Sequence, residues 1–492
     1  MEHTFILPSS PSVRREDRFC LLDSDEYDVP FWDLLTAVLR SESSPIVDVS
    51  SLIEALETIA LILRGTTSGV DYGLLREFMA QHFAEESDSI RFFTRTWPML
   101  VDLALEMPSL FVHGTLPSFA PVFAEGISRV SFSRRQIVCL VVHQFLCSLP
   151  PHPWQTESFV DLHPWYTLTS TIHRGAVDAY LTALFTYFDR LHPSAENPRS
   201  ILDLSVEEWP VVFELRTITD QHADRILCEK APDAVLRSTR LEVLSLPESE
   251  TSPQLSGLPN GACVISANKC IGHGPSGTQE ELQVGTSPEA YPATLLAPPL
   301  SDHQVLVCRG AEAMVSIHGY GRDARLGQVP RQPHYGADDF WRWKSRTMLF
   351  MDALELDVLP VEGHSLIADI YPPSRLSRDM VLKAYNAFRY GKYSQVITGL
   401  WGCGTFGGNR YVKCILQWCA AALEGVPVLK VVLATRDQQL FGEELVQFAE
   451  EVERHRLTVA QMIELLIDPR ASIHSFGPTG IFTSITSQLS CQ

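Results

Sequence analysis

Through the first 200 positions apolar residues recur at three- and four-residue spacing. Five segments carry the pattern: FWDLLTAVLRS, SLIEALETIALILRG, IRFFTRTWPMLVDLALEM, RRQIVCLVVHQFLCSL and AVDAYLTALFTYFDRL. That period puts one apolar stripe along each helix, so this part of the chain is predicted helical. Turn-rich pieces such as PPHPW at 150–154 and HPSAENPRS ending at Ser200 separate the helices. A polar loop, PESETSPQLSGLPNG, runs from Pro247 to Gly261. Beyond it the texture changes to short runs rich in Val and Ile: ACVISA, HQVLVC, AMVSI, TMLFMDAL, SQVITGLW and VPVLKVVLAT. These are predicted buried strands. Between the last two lies NRYVKCILQWCAAALE, Asn409–Glu424, an amphipathic helix. Strand, glycine-rich turn, helix and strand make a βαβ unit, which predicts a parallel pair and α/β layers. The expected organisation is a helical accessory region over 1–200, with an acidic N-terminus, and an α/β region over 201–492.

With 492 residues, 45% apolar and 20% charged, the chain is long enough for a large core and is not of disordered composition. The net charge is −20 and uneven: residues 1–90 hold 6 basic and 17 acidic side chains. Such a balance repels nucleic acid and anionic membranes at long range, so neither is an expected partner. One stretch runs the other way. From Met380 to Leu423 stand Lys383, Arg389, Lys392, Arg410 and Lys413 with no acidic residue, a candidate receiver for an anion. The 11 cysteines show no CxxC pair and no zinc-ligand spacing, so reduced thiols and no metal site are expected. The N-terminus MEHTFILPSSPSVRRED has no apolar signal core, and the longest apolar run, Ile137–Leu149, is too short to span a bilayer. An intracellular protein is expected.

Candidate chemistry sits in two glycine loops. Gly272-His-Gly-Pro-Ser-Gly277 follows ACVISA, and Gly402-Cys-Gly-Thr-Phe-Gly407-Gly408 follows SQVITGLW. Glycines let backbone N–H groups converge on a phosphate, and a helix start adds positive potential. The second loop, with Arg410 and Lys413 in the helix behind it, is the better anion cradle. A dinucleotide-dependent oxidoreductase is the alternative reading. Against it, Asp437 lies 30 residues past Gly407, where a ribose-binding acid stands about 20 residues from such a motif. After the first loop comes Thr278-Gln-Glu-Glu281. Thr278 and Glu281 have capping-box spacing, which is a structural role; adjacent glutamates beside an anion site also suit acid catalysis at a glycosidic oxygen.

The segment Ala267–Glu281, with Asn268, Gly272, Gly274 and Gln279-Glu280-Glu281, together with TGLWGCGTFGGNRYVKCILQWCAAAL and IHGY at Ile317–Tyr320, resembles the poly(ADP-ribose) glycohydrolase family. SFSRRQIVCLVVHQFLCSLP and LTVAQMIELL are similar to segments of its helical part. The resemblance implies a macrodomain-like mixed sheet with flanking helices plus an N-terminal helical accessory region. It implies hydrolysis of ribose–ribose O-glycosidic bonds in poly(ADP-ribose) without cofactor or metal, with poly(ADP-ribose)-modified proteins as partners in the nucleus, the cytoplasm or both. Carried over by position, Glu281 matches the catalytic acid and Glu280 the carboxylate that holds the ribose. Gln279, Asn268 and Tyr320 match substrate contacts, and Gly272 and Gly274 belong to the first loop. Phe406 matches an aromatic over the terminal ADP-ribose. Gly402, Gly404, Thr405, Gly407 and Gly408 match the diphosphate cradle. The sequence departs from the family pattern at His273, Ile265 and Leu400 and in a spacer of only four residues, Pro275–Thr278. An ADP-ribose reader without hydrolase activity is the reading those departures leave open.

Overall fold

The computed structural model describes residues 4–490 except 23–25, 66–70, 120–124, 153–159, 168–171, 194–199, 206, 246–259, 330–342, 359–368, 371 and 468–479. Most of the polar loop expected from Pro247 to Gly261 lies outside the described residues. The centre of the molecule is an eight-stranded mixed sheet. Its strands are β1 (Gly126–Phe132), β2 (Val211–Thr217), β3 (Arg240–Ser245), β4 (Ala262–Ala267), β5 (Gln304–Arg309), β6 (Thr347–Asp352), β7 (Val396–Thr398) and β8 (Val428–Leu433). They lie in the order β1-β2-β5-β6-β4-β7-β8-β3. Three antiparallel pairings join β1, β2, β5 and β6, and the run β6-β4-β7-β8-β3 is parallel.

Period-two burial explains why these runs are strands. In β4, Cys263, Ile265 and Ala267 enter one core, while Ala262 and Val264 enter the other. Leu306 and Cys308 against Val305 and Val307 repeat this in β5, as do Met348 and Phe350 against Leu349 and Met351 in β6. A sheet apolar on both faces must be covered on both. One face packs on the helical region, including α1 (Val49–Arg64), α2 (Arg134–Phe145) and α3 (Arg174–Arg190). The other packs on the helical stretch Arg378–Tyr385 and on α5 (Arg410–Glu424) and α6 (Arg436–His455), numbered after α4 (Gln279–Gly285) of the candidate site.

α2 is buried along its length. Ser133 caps it, taking the Gln136 N–H at 3.2 Å while Gln136 Oε1 takes the Ser133 N–H at 2.9 Å. Its first residue, Arg134, is fully buried against Glu289 and stacks 4.0 Å from the Trp209 ring. Arg190 of α3 reaches Glu312 at 2.7 Å. These pairs tie the helical region to the α/β region, and one apolar core runs through both.

The expected βαβ unit is present as β7-α5-β8, with Asn409 as the N-cap of α5. One expectation needs correction. AMVSI is not a sheet strand; only Ile317–His318 pairs, in a small hairpin with Arg325–Leu326. The sheet also takes its edge strand, β1 at 126–132, from within the largely helical first 200 residues. Among the described residues no helix is long and apolar enough to cross a membrane.

Candidate active site

β4 and β7 are neighbouring parallel strands, and the two glycine loops leave their carboxyl ends. The chain leads from β4 to one side, through β5 to β6, while β7 lies on the other side and leads to β8. That divergence opens the crevice where α/β sheets take their ligands. β6 ends beside it at Asp352.

The first loop turns into α4, a short helix that starts at Gln279. Glu280 points inward and is buried. Its Oε2 accepts the Asn268 N–H at 2.8 Å and its Oε1 the Gly272 N–H at 3.2 Å. Burial pushes its carboxyl up to about 8; the two backbone donors oppose this, and Glu281 and Asp352 add to it. Burial thus favours the protonated form of Glu280 near neutral pH.

Glu281 is half-buried. Its Oε2 accepts the Thr278 N–H at 2.9 Å and the hydroxyls of both Thr278 and Ser276. The capping-box role and the position facing the crevice thus coexist in one side chain.

Gln279 is placed differently from the expected substrate contact. Its Oε1 accepts the Ser266 N–H at 2.6 Å and its Nε2 donates to the Val264 carbonyl at 3.0 Å. The side-chain amide takes over the edge of β4 where the short β7 has ended, and both its polar atoms are engaged. Gly272 and Gly274 also face inward: the Gly272 N–H holds Glu280, and the Gly274 carbonyl accepts the Trp165 Nε1–H at 3.1 Å. Asn268 is exposed; its Oδ1 closes a turn on the Cys270 N–H at 3.0 Å, leaving Nδ2 as its remaining donor. His273 is fully buried, with ring centroids 5.5 Å from both Trp165 and Tyr291, and burial pulls its pKa down to about 4. The position takes a side chain because φ is not positive there.

Tyr320 stands 60% exposed on the hairpin tip. The Gly321 N–H donates to the Gly277 carbonyl at 2.8 Å, and a Cβ on Gly277 would lie 2.4 Å from the Gly321 oxygen. Glycine at 277 is what lets the hairpin close on the first loop and sets Tyr320 beside Glu281.

In the second loop Gly402 and Gly407 have φ of +73° and +68°. The Gly408 N–H closes on the Gly402 carbonyl at 2.9 Å, and a Cβ on Gly402 would meet Ala353 Cβ at 2.6 Å. Gly404 and Thr405 are exposed and Phe406 is half-buried. The N–H groups of these three have no acceptor among the described residues, so they form the free donor set of the loop. A Cβ on Gly404 would meet nothing within 4 Å, so the fold itself does not require glycine at this position.

The expected cationic patch behind this loop is not available. Lys413 is buried between Asp379 and Asp369, 3.3 Å from the latter, and these carboxylates outweigh burial to raise its pKa. Arg410 pairs with Asp437 at 2.6 Å. Asp437, the acid the oxidoreductase reading would use, is engaged in this surface pair. The start of α5 is closed too: Asn409 Oδ1 takes the Tyr411 and Val412 N–H groups at 2.9 and 3.3 Å, and Asp369 takes the Asn409 N–H at 2.6 Å. Among the described residues this leaves the loop N–H groups as the main donors open to an anion. Lys383 is likewise buried against Asp352 at 2.5 Å, and Arg389 pairs with Glu125 at 2.8 Å. Sequence distance hid these carboxylates, which come from segments 27 to 264 residues away. Among the described residues no group of three or more His, Cys, Asp or Glu side chains is placed to hold a metal ion.

A helical region packed on a mixed sheet, with paired glutamates and an open glycine loop at adjacent strand ends, defines a macrodomain-type fold with its candidate site at the strand ends. Comparison with known families agrees. Residues 251–440 match the poly(ADP-ribose) glycohydrolase macro domain fold and residues 84–206 its helical domain, together well over half of the chain. The chain belongs to the poly(ADP-ribose) glycohydrolase family. Poly(ADP-ribose) glycohydrolase 1 of Caenorhabditis elegans is 23% identical over 262 residues, covering 50% of this chain and 30% of the relative. Poly(ADP-ribose) glycohydrolase 2 of the same species is 26% identical over 263 residues, 50% of this chain and 48% of the relative. Poly(ADP-ribose) glycohydrolase 1 of Arabidopsis thaliana is 20% identical over 471 residues, 80% of each chain. The matched part of the chain spans less than half the length of the two nematode relatives.

Proposed function

We propose that the chain hydrolyses the ribose–ribose O-glycosidic bonds of poly(ADP-ribose) and releases ADP-ribose. The observation that carries this is the Glu280–Glu281 pair, one carboxyl buried and held by two backbone N–H groups, the other half-buried and anchored to the first loop by one oxygen. The N–H groups of Gly404, Thr405 and Phe406 take the diphosphate, Phe406 and Tyr320 flank the nucleotide, and the Asn268 Nδ2 donates to the ribose. Glu280 gives its O–H to a ribose hydroxyl. A glycosidic oxygen leaves as an alkoxide unless it is protonated, so the reaction needs an acid there. In the polymer complex Glu281 carries its own proton on Oε1, the oxygen not held by the loop; it delivers that proton to the departing 2′-oxygen and, then a carboxylate, accepts one from the water that attacks the anomeric carbon. Partners on this reading are poly(ADP-ribose)-modified proteins in the nucleus or cytoplasm. Incubation with labelled, automodified poly(ADP-ribose) tests it: free ADP-ribose accumulates if the proposal holds, and polymer that is bound but stays intact makes the chain a reader instead.

A further inference from the structure

The four-residue spacer Pro275–Thr278 is a departure from the family pattern that the proposed reaction does not account for. It does three things in the fold. Ser276 and Thr278 both donate hydroxyls to the same oxygen of Glu281, which also takes the Thr278 N–H. Gly277 between them admits the Tyr320 hairpin. And the Ser276 carbonyl accepts the hydroxyl of Tyr180 at 2.7 Å, from α3 in the helical region. The Tyr180 ring is itself fixed: it packs 5.2 Å from Trp165 and lies where a Cβ on Gly285 would meet it at 2.4 Å. Three donors on one carboxylate oxygen leave little rotational freedom, and the second oxygen then has one direction in which to act.

We infer that Ser276 is a positioning residue for Glu281 and that Tyr180 sets Ser276, so the helical region aims the acid of the neighbouring region. The inference rests on the reading of Glu281 as the acid. A structural N-cap needs only Thr278; the Ser276 hydroxyl bond to Glu281 and the tie of the Ser276 carbonyl to Tyr180 add nothing to helix capping, whereas they fix the carboxylate against the loop.

The test compares Ser276→Ala, Ser276→Thr and Tyr180→Phe with the parent protein. Ser276→Ala lowers turnover of poly(ADP-ribose) about tenfold and Tyr180→Phe about threefold, with the Kd for ADP-ribose within about twofold of the parent by calorimetry. Ser276→Thr restores most of the rate. In a Glu281→Gln background Ser276→Ala costs nothing further, since it acts through that carboxylate. A crystal structure of Ser276→Ala shows the Glu281 carboxylate turned from its place. Parent-like turnover in Ser276→Ala, an equal loss in the Glu281→Gln background, or an unmoved carboxylate overturns the inference. Parent-like cleavage by Glu281→Gln, or none by the parent, overturns instead the assignment of Glu281, and the crystal structure still decides what Ser276 positions.

Discussion

The proton on Glu280 leads to a measurable pH effect. Its carboxyl has an ordinary value of 4.5 and is raised to about 8 in the folded protein, chiefly by burial. Between those values the folded state keeps a proton that the unfolded state has released. Stability therefore falls as pH rises through this window, by about 1.4 kcal/mol per pH unit, and levels off above the folded value. At pH 7 the accumulated cost is about 3 kcal/mol relative to a group that does not titrate. Glu280→Gln removes the titration. It also turns an NH2 toward one of the two backbone donors, Asn268 N–H or Gly272 N–H, and losing that bond costs about 1–3 kcal/mol at every pH. The variant should be the less stable protein near pH 5 and should equal or pass the parent near pH 8. Urea unfolding of both proteins at half-unit steps from pH 5 to 8 gives the comparison. Subtracting one curve from the other cancels the other titrating groups. The expected difference declines by about 1.4 kcal/mol per unit across the middle of the range. Parallel curves would mean that Glu280 is ionised in the folded protein, and the division of labour within the pair would fail.

Lys413→Met should destabilise the fold by about 3–5 kcal/mol, read as a lowered urea midpoint, because it removes the cation paired with buried Asp369 and leaves buried Asp379 with Arg378 alone. Arg410→Gln should leave KM for polymer and its salt dependence close to the parent's, since Asp437 already neutralises Arg410. Gly402→Ala should lower stability and ADP-ribose affinity together, through its φ of +73° and the Ala353 contact, while Gly404→Val should fold as the parent and weaken ADP-ribose more than tenfold by calorimetry. His273→Phe should keep the packing on Trp165 and Tyr291 and retain activity. It should also remove a loss of stability on acidification from pH 6.5 toward 4, the window in which the unfolded histidine binds a proton that the buried one refuses.

Much of this fold is legible in the chain because its signals are local. Short runs rich in Val and Ile give β4, β5, β6 and β8, and the glycine punctuation around 402–408 gives the β7-α5-β8 unit. Three strands hide for physical reasons. β1, GISRVSF, is a half-exposed edge within the helical stretch of sequence. β2 buries Glu214 and Arg216, which look like surface residues until their 3.0 Å pairing is seen. β3 is a parallel edge strand of mixed burial. At the site, the carboxylate pair and the open loop are readable from residue type and spacing. The use of Gln279 to finish the edge of β4 is not, because it depends on how early β7 ends. Nor is the neutralisation of Arg410 and Lys413, whose partners are distant in sequence, nor the hold of Trp165 and Tyr180 on the first loop.

The central claim is that Glu281 delivers the proton to the leaving oxygen. Glu281→Gln keeps the shape of the side chain and cannot transfer that proton, so purified parent and variant should be compared on the same labelled poly(ADP-ribose), with ADP-ribose affinity measured alongside by calorimetry. The account predicts that free ADP-ribose appears at least about 10²-fold more slowly with the variant while its affinity for ADP-ribose stays close to the parent's. Release at close to the parent rate would contradict it.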